Sequence, residues 1–136
     1  MVWTKSYETG NSIVDKEHKE IFALVSKVLD NAFANRKEKI NASIDFLTKY
    51  VFEHFSNEER LMNESDYPET EEHKKQHSDF TQSIGKLKEK IKIEGDTMEI
   101  GIEVNETIVD WLIEHVLGSD KKLANYYKQW QNAIKS

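Results

Sequence analysis

The chain has 136 residues, 38% of them hydrophobic and 32% charged, with a formal net charge of -6, no cysteine, one proline and five glycines. That length suits a single domain over residues 1–136 that needs no disulfide, and the lack of cysteine excludes disulfides and thiolate metal sites alike. An acidic balance without a basic stripe argues against nucleic acid as partner, and neither a signal-peptide-like start nor a run of roughly 18 apolar residues occurs, so a cytoplasmic protein without membrane association is expected.

Residues 1–14 lack periodicity and read as an irregular arm, with Trp3, Tyr7 and Ile13 expected to fold back onto the body. Asp15 is the expected N-cap of a first helix over about 16–34, in which Ile21, Phe22, Val25, Leu29 and Phe33 recur at three- and four-residue steps. His18 shares their face. A second helix, about 36–64, carries a seam of Ile40, Ile44, Leu47, Val51, His54, Glu58 and Leu61, and Pro68 is expected to stop it by restricting Tyr67 and withholding a donor. A third helix, about 69–93, presents His73, His77, Phe80, Ile84, Leu87 and Ile91, and Gly95-Asp96 forms the next turn. A fourth helix from about 97 carries Val104, Ile108, Trp111, Leu112 and His115 and is expected to end at Gly118. Residues 119–136 are long enough for a short fifth helix with Leu123, Tyr127, Trp130 and Ile134 inward. The pattern predicts an all-α, up-down-up-down four-helix bundle with an N-terminal arm and a short C-terminal helix.

All five histidines fall on predicted core faces, and Glu58 joins them. One histidine on an apolar face, such as His18, is more often a hydrogen-bonded core residue than a ligand, and Asp120 alone reads as the N-cap of the last helix. Two i,i+4 pairs, His54 with Glu58 and His73 with His77, each project from one helix face about a turn apart. Five core histidines with a seam carboxylate are improbable unless they meet at one place, because each buried polar group needs a partner. Metal ions supply such partners. The donors outnumber those of one tetrahedral zinc, and calcium or magnesium sites take oxygen rather than imidazole. A pair of first-row metals fits, with iron first and zinc, manganese or cobalt also accepted by imidazole sites. His115 and Asp120 stand i,i+5, about 140° apart on a regular α-helix, so a π-type turn near Leu117-Gly118 is expected if both face inward.

The strings VDKEHKEIF (14–22), HFSNEERLM (54–62), YPETEEHKKQH (67–77) and WLIEHVLGSD (111–120) together resemble the hemerythrin family in its single-domain bacterial form. The resemblance implies a bundle holding a non-haem di-iron centre, bridged by carboxylates and an oxo or hydroxo group, that binds dioxygen reversibly for storage, transport or delivery and is not an enzyme. By motif position His18 and His54 would ligate one iron, His73, His77 and His115 the other, and Glu58 and Asp120 would bridge them. Counting these donors leaves one coordination position open, on the iron with two histidines. Phe22, Phe55, Trp111 and Leu112 stand beside the ligands in sequence and are expected to wall the dioxygen pocket. A monomer is expected, with any recipient protein unidentified. The alternatives are a di-iron enzyme reacting with dioxygen, nitric oxide or peroxide, and an oxygen or redox sensor module.

Overall fold

The computed structural model describes residues 3–33, 37–94 and 98–135. After a 3-10 turn at Lys5–Tyr7, three long helices follow: α1 (Ser12–Phe33), α2 (Lys37–Ser65) and α3 (Thr70–Glu94). The rest is one helical path in five pieces: α4 (Met98–Val104), a π-helical turn (Asn105–Asp110), α5 (Trp111–His115), a second π-helical turn (Val116–Asp120) and α6 (Lys121–Lys135). The helices form a bundle: α1 packs on α2, α2 on α3, and the α4–α6 path closes against α1, α2 and α3. None is long and apolar enough to cross a membrane among the described residues.

Helix α1 starts earlier than the periodicity suggests. Asn11 Oδ1 accepts from the backbone N–H groups of Ile13 and Val14, so Asn11 is the cap. Asp15 instead sits in the first turn, where its Oδ1 accepts from the backbone N–H and the hydroxyl of Thr9. These bonds tie the arm to the helix, and Trp3 and Tyr7 pack edge-on against Phe22 with centroids 5.1 and 4.9 Å away. Ile13 does not follow them and is 64% exposed, because the early start places it on the solvent side of the first turn.

Helix α2 is ended by a backbone motif rather than by Pro68 alone. Asp66 adopts a left-handed conformation (φ 51°), and the Tyr67 N–H bonds to the Met62 carbonyl at 3.0 Å. This six-to-one bond is the Schellman arrangement, and the accompanying contact is present in the buried cluster of Met62, Tyr67 and Leu123. Met62, not Leu61, carries the seam inward at this end.

The main core holds Ile21, Val25, Val28, Ile40, Ile44, Leu47, Val51, Ile84, Leu87, Ile91, Ile100, Val104 and Ile108, with Phe55, Phe80 and Leu112 at the end that faces the histidines. Each such side chain contributes about 1.5–3 kcal/mol by leaving water. Leu29 is only partly buried, and Val28 takes the inward place. The side chain of Phe33 and the Gly95-Asp96 turn lie outside the described residues. Ion pairs between partly exposed side chains, Lys88 with Asp45 and Lys90 with Glu103, join α3 to α2 and α4 and add little where solvent reaches them.

Gly118 does not end a helix. Backbone angles remain right-handed helical at His115, Val116 and Lys121, so the chain runs through the glycine into α6. On α6, Leu123 and Tyr127 are buried, Trp130 is half-buried, and Ile134 is 64% exposed because the helix extends past the elements it packs on.

Candidate metal centre

Local periodicity brings the polar seam residues to one level of the bundle. His18 comes from α1, His54 and Glu58 from α2, His73 and His77 from α3, and His115 from the end of α5; Asp120 closes the second π turn. All seven are buried, with Glu58 at 0% and Asp120 at 1% exposure. The i,i+4 pairs share a helix face by ordinary α geometry. His115 and Asp120 could not, but the π turn between them takes up the extra residue, and His115 Nε2 lies 2.8 Å from Asp120 Oδ1.

The five rings point their Nε2 atoms into the cluster. His18 Nε2 lies 2.7 Å from Asp120 Oδ2 and 3.1 Å from His54 Nε2. On the other side, His73 Nε2 is 3.2 Å from Asp120 Oδ1, and His77 Nε2 is 3.1 Å from Glu58 Oε1. Asp120 thus turns one oxygen to the pair His18 and His54 and the other to His73 and His115. Glu58 Oε1 stands 3.3 Å from His54 Nε2 and 3.4 Å from His73 Nε2, at the border of the same two sets.

Two overlapping groups of donors could each hold an ion: Glu58, His73, His77, His115 and Asp120, and His18, His54 and Asp120, with donor atoms within 4.8 Å of one another in each. Buried Glu58 Oε2 has no hydrogen-bond partner, and His115 Nε2 and Asp120 Oδ1, though 2.8 Å apart, are not aligned as a hydrogen bond. Unpaired buried donors of this kind carry a desolvation cost that a cation removes. The set of imidazoles and carboxylates without thiolate therefore fits two first-row metal ions sharing Asp120.

The electrostatics of the protein groups point the same way. Burial opposes the charged form of His115, but the Asp120 and Glu58 carboxylates outweigh it and hold the ring at about 9. His54 and His73 are likewise raised despite burial, His54 chiefly by Glu58 and His73 chiefly by Asp120. His77 is lowered, first by burial and then by the neighbouring rings of His115 and His73, with Glu58 opposing. Burial pushes the carboxyls of Glu58 and Asp120 upward, and Asp120 adds repulsion at Glu58, yet the imidazoles hold both below the usual carboxylate range. Protons and metal ions therefore compete for the same nitrogens.

The four aromatic and aliphatic neighbours expected around the site are placed unequally. Phe55 stacks on His77 (3.7 Å, 7° between planes) and Trp111 on His115 (4.4 Å, 14°), so both lie against the three-histidine set. Leu112 and Phe22 are buried, and Phe22 meets Trp3, whose ring is 6.3 Å from His18. Trp3 had no assigned role in the sequence reading beyond folding back.

Two further residues escaped it. Glu17 Oε1 accepts from His54 Nδ1 at 3.0 Å, while its Oε2 accepts from Asn57 Nδ2 at 2.6 Å. Gln76 Oε1 accepts from His115 Nδ1 at 2.8 Å and from the Ser119 hydroxyl at 2.6 Å. Each precedes a histidine and reads as helix surface, but Glu17 stands one turn before Ile21 and Gln76 one turn before Phe80, which is the signal that could have found them. In the neutral ring, Nδ1 donating outward leaves Nε2 as the lone-pair nitrogen that faces the cluster.

Residues 9–127 match the family described as the hemerythrin HHE cation binding domain. The chain is 30% identical over 122 residues to a bacteriohemerythrin of Methylococcus capsulatus, covering 89% of this chain and 92% of the relative. A bacteriohemerythrin of Clostridium acetobutylicum is 30% identical over 125 residues, covering 89% of this chain and 96% of its own. A myohemerythrin of Theromyzon tessulatum is 27% identical over 120 residues, 88% of each chain. The donor cluster lies inside the matched segment, and with both the profile and the relatives spanning most of its length, the chain belongs to the hemerythrin family.

Proposed function

We propose that the chain binds dioxygen reversibly at a pair of iron ions held by these seven side chains, as a store or carrier rather than an enzyme. The observation that carries this reading is the unequal division of donors: three imidazoles on one side of Asp120 and two on the other. His73, His77 and His115 would hold one iron with both carboxylates, and His18 and His54 would hold the second. The side with fewer imidazoles is the one that retains room for a diatomic ligand. When bound, such an iron pair supplies reversible two-electron chemistry to dioxygen.

The protein's part is to hold, orient and keep dry. Glu58 from α2 and Asp120 from the second π turn would hold the pair between the two sets of histidines. His54 and His115 are held in orientation by Glu17 and Gln76 through Nδ1, which fixes the tautomer that leaves Nε2 free. Phe22, Trp3 and Tyr7 cover the His18 side, and buried Leu112 and Val116 keep water from the neighbouring helix, which slows oxidation by escape of reduced oxygen species. Seven protein donors leave little room for an organic co-substrate, which favours carriage over oxygenation.

Metal analysis together with an absorption spectrum tests the proposal. Two irons per chain, and a visible band that forms in air and disappears on deoxygenation, are the expected result. A centre that oxidises without return would overturn carriage and favour the enzyme or redox-sensor reading.

A further inference from the structure

The two halves of the cluster are supported by acceptors of different charge. His54, on the two-histidine side, donates its Nδ1 proton to a carboxylate, Glu17, at 3.0 Å. His115, on the three-histidine side, donates its Nδ1 proton to a neutral amide, Gln76, at 2.8 Å. Glu17 is held on both oxygens, since Asn57 Nδ2 donates to the other at 2.6 Å, so its carboxylate has a fixed aim. It is 14% exposed, on the wall of a groove of about 520 Å3 between the start of α1, the end of α2 and α6.

A carboxylate that accepts from Nδ1–H draws the proton outward and leaves more electron density on Nε2 than an amide does, and the charge-assisted bond is the stronger one. We infer that Glu17 is a positioning residue that makes His54 the stronger donor and offsets, on the two-histidine metal alone, the imidazole which that metal lacks. The inference rests on the di-metal reading above. It goes beyond that reading by assigning the inequivalence of the two metals to one residue outside the ligand set. The negative charge of Glu17 favours the higher oxidation state at its own metal, and Gln76 leaves the other without that bias.

The test uses Glu17→Gln in the full chain, which keeps the shape and an acceptor for His54 while removing the charge. Zn2+ titrated alone into the metal-free protein should show two sites, one weakened by roughly 10- to 100-fold in the variant and the other unchanged. His54→Ala identifies which site is affected. In the iron-loaded protein, the ferric-to-ferrous ratio of one iron should fall about tenfold at a given potential, equal to about 59 mV for a one-electron couple. The opposite exchange, Gln76→Glu, should raise that ratio at the other iron, and it keeps the inference testable if Glu17→Gln does not fold. Equal weakening at both sites, unchanged affinities and potentials, or no shift in Gln76→Glu would each overturn it while leaving the di-metal reading intact. A wild-type chain that takes up no pair of ions would overturn both.

Discussion

Glu58 and Asp120 have almost no contact with water, and the cations nearest to them are imidazoles rather than lysine or arginine. Burying such charges costs several kcal/mol each unless they are closely paired, so the metal-free fold depends on protonated histidine. The sign of the pH dependence follows. His115 is raised from 6.5 to about 9, so its contribution is fully present below about pH 6.5 and is lost as pH rises through 9. His54 and His73 shift the same way, and His77, lowered, opposes them alone. The two carboxyls, held below their ordinary values of 4.5 and 3.8, contribute above that range and lose the contribution as pH falls. Metal-free protein should therefore be most stable near pH 5–6 and weaken toward pH 9, with the His115 shift by itself corresponding to about 3 kcal/mol. Metal-loaded protein should stay level over that interval, because any histidine that holds a metal ion is neutral at every pH within it. Thermal unfolding of both forms followed by circular dichroism checks this, and a metal-free curve that is flat from pH 6.5 to 9 would refute the carboxylate–imidazole pairing. The five histidines and Glu58 were legible in the sequence because polar residues on an apolar seam stand out, whereas Asp120, which alone reads as a helix N-cap, entered only through the motif resemblance. Glu17 and Gln76 were only half legible: the helical period sets them one turn before a core residue, but the ring that each one meets on the neighbouring helix, and so its role, is not in a single helix's period.

At the scale of elements, the departures from expectation come from backbone hydrogen bonding that the sequence marks weakly. The turn between His115 and Asp120 could be foreseen from the i,i+5 spacing of two residues that both had to face inward. The first π turn, Asn105–Asp110, has no such pair to betray it, and it shifts the face on which Trp111, Leu112 and His115 emerge. Gly118 signals a stop in sequence, yet its helical backbone and the right-handed angles around it show that nothing there needs a glycine. A Cβ at this position meets no atom within 4 Å. Gly118→Ala should therefore stabilise the protein by about 0.5–1 kcal/mol, mainly by restricting the unfolded chain. Gly10 is the contrasting case, with φ at +89°, and Gly10→Ala should destabilise by about 1–2 kcal/mol. Urea unfolding of the two variants measures both, and a destabilised Gly118→Ala would mean that the turn needs more freedom than its geometry indicates.

For the whole molecule, the bundle divides into a long apolar core and a smaller cluster of Met62, Tyr67 and Leu123, with the donor cluster between them. Apolar periodicity made the first part readable, because α1, α2 and α3 follow a regular α repeat through it. The far end was less readable, since α6 joins the preceding helix without a break and Tyr126 reaches across to the Ser65 carbonyl. A metal pair at this level would tie α1, α2, α3 and the α5–α6 path together where apolar packing is thinnest. The tryptophans are distributed over the same plan. Trp3 lies against the His18 side, Trp111 is stacked on His115, and Trp130 packs with Tyr127, away from both. Each half of the cluster consequently carries its own fluorophore, with a third as an internal reference. Stepwise filling with a paramagnetic ion should quench Trp111 and Trp3 in separate phases. Trp111→Phe should remove one phase and leave the other, so that the emission of an unlabelled chain reports which half has been filled.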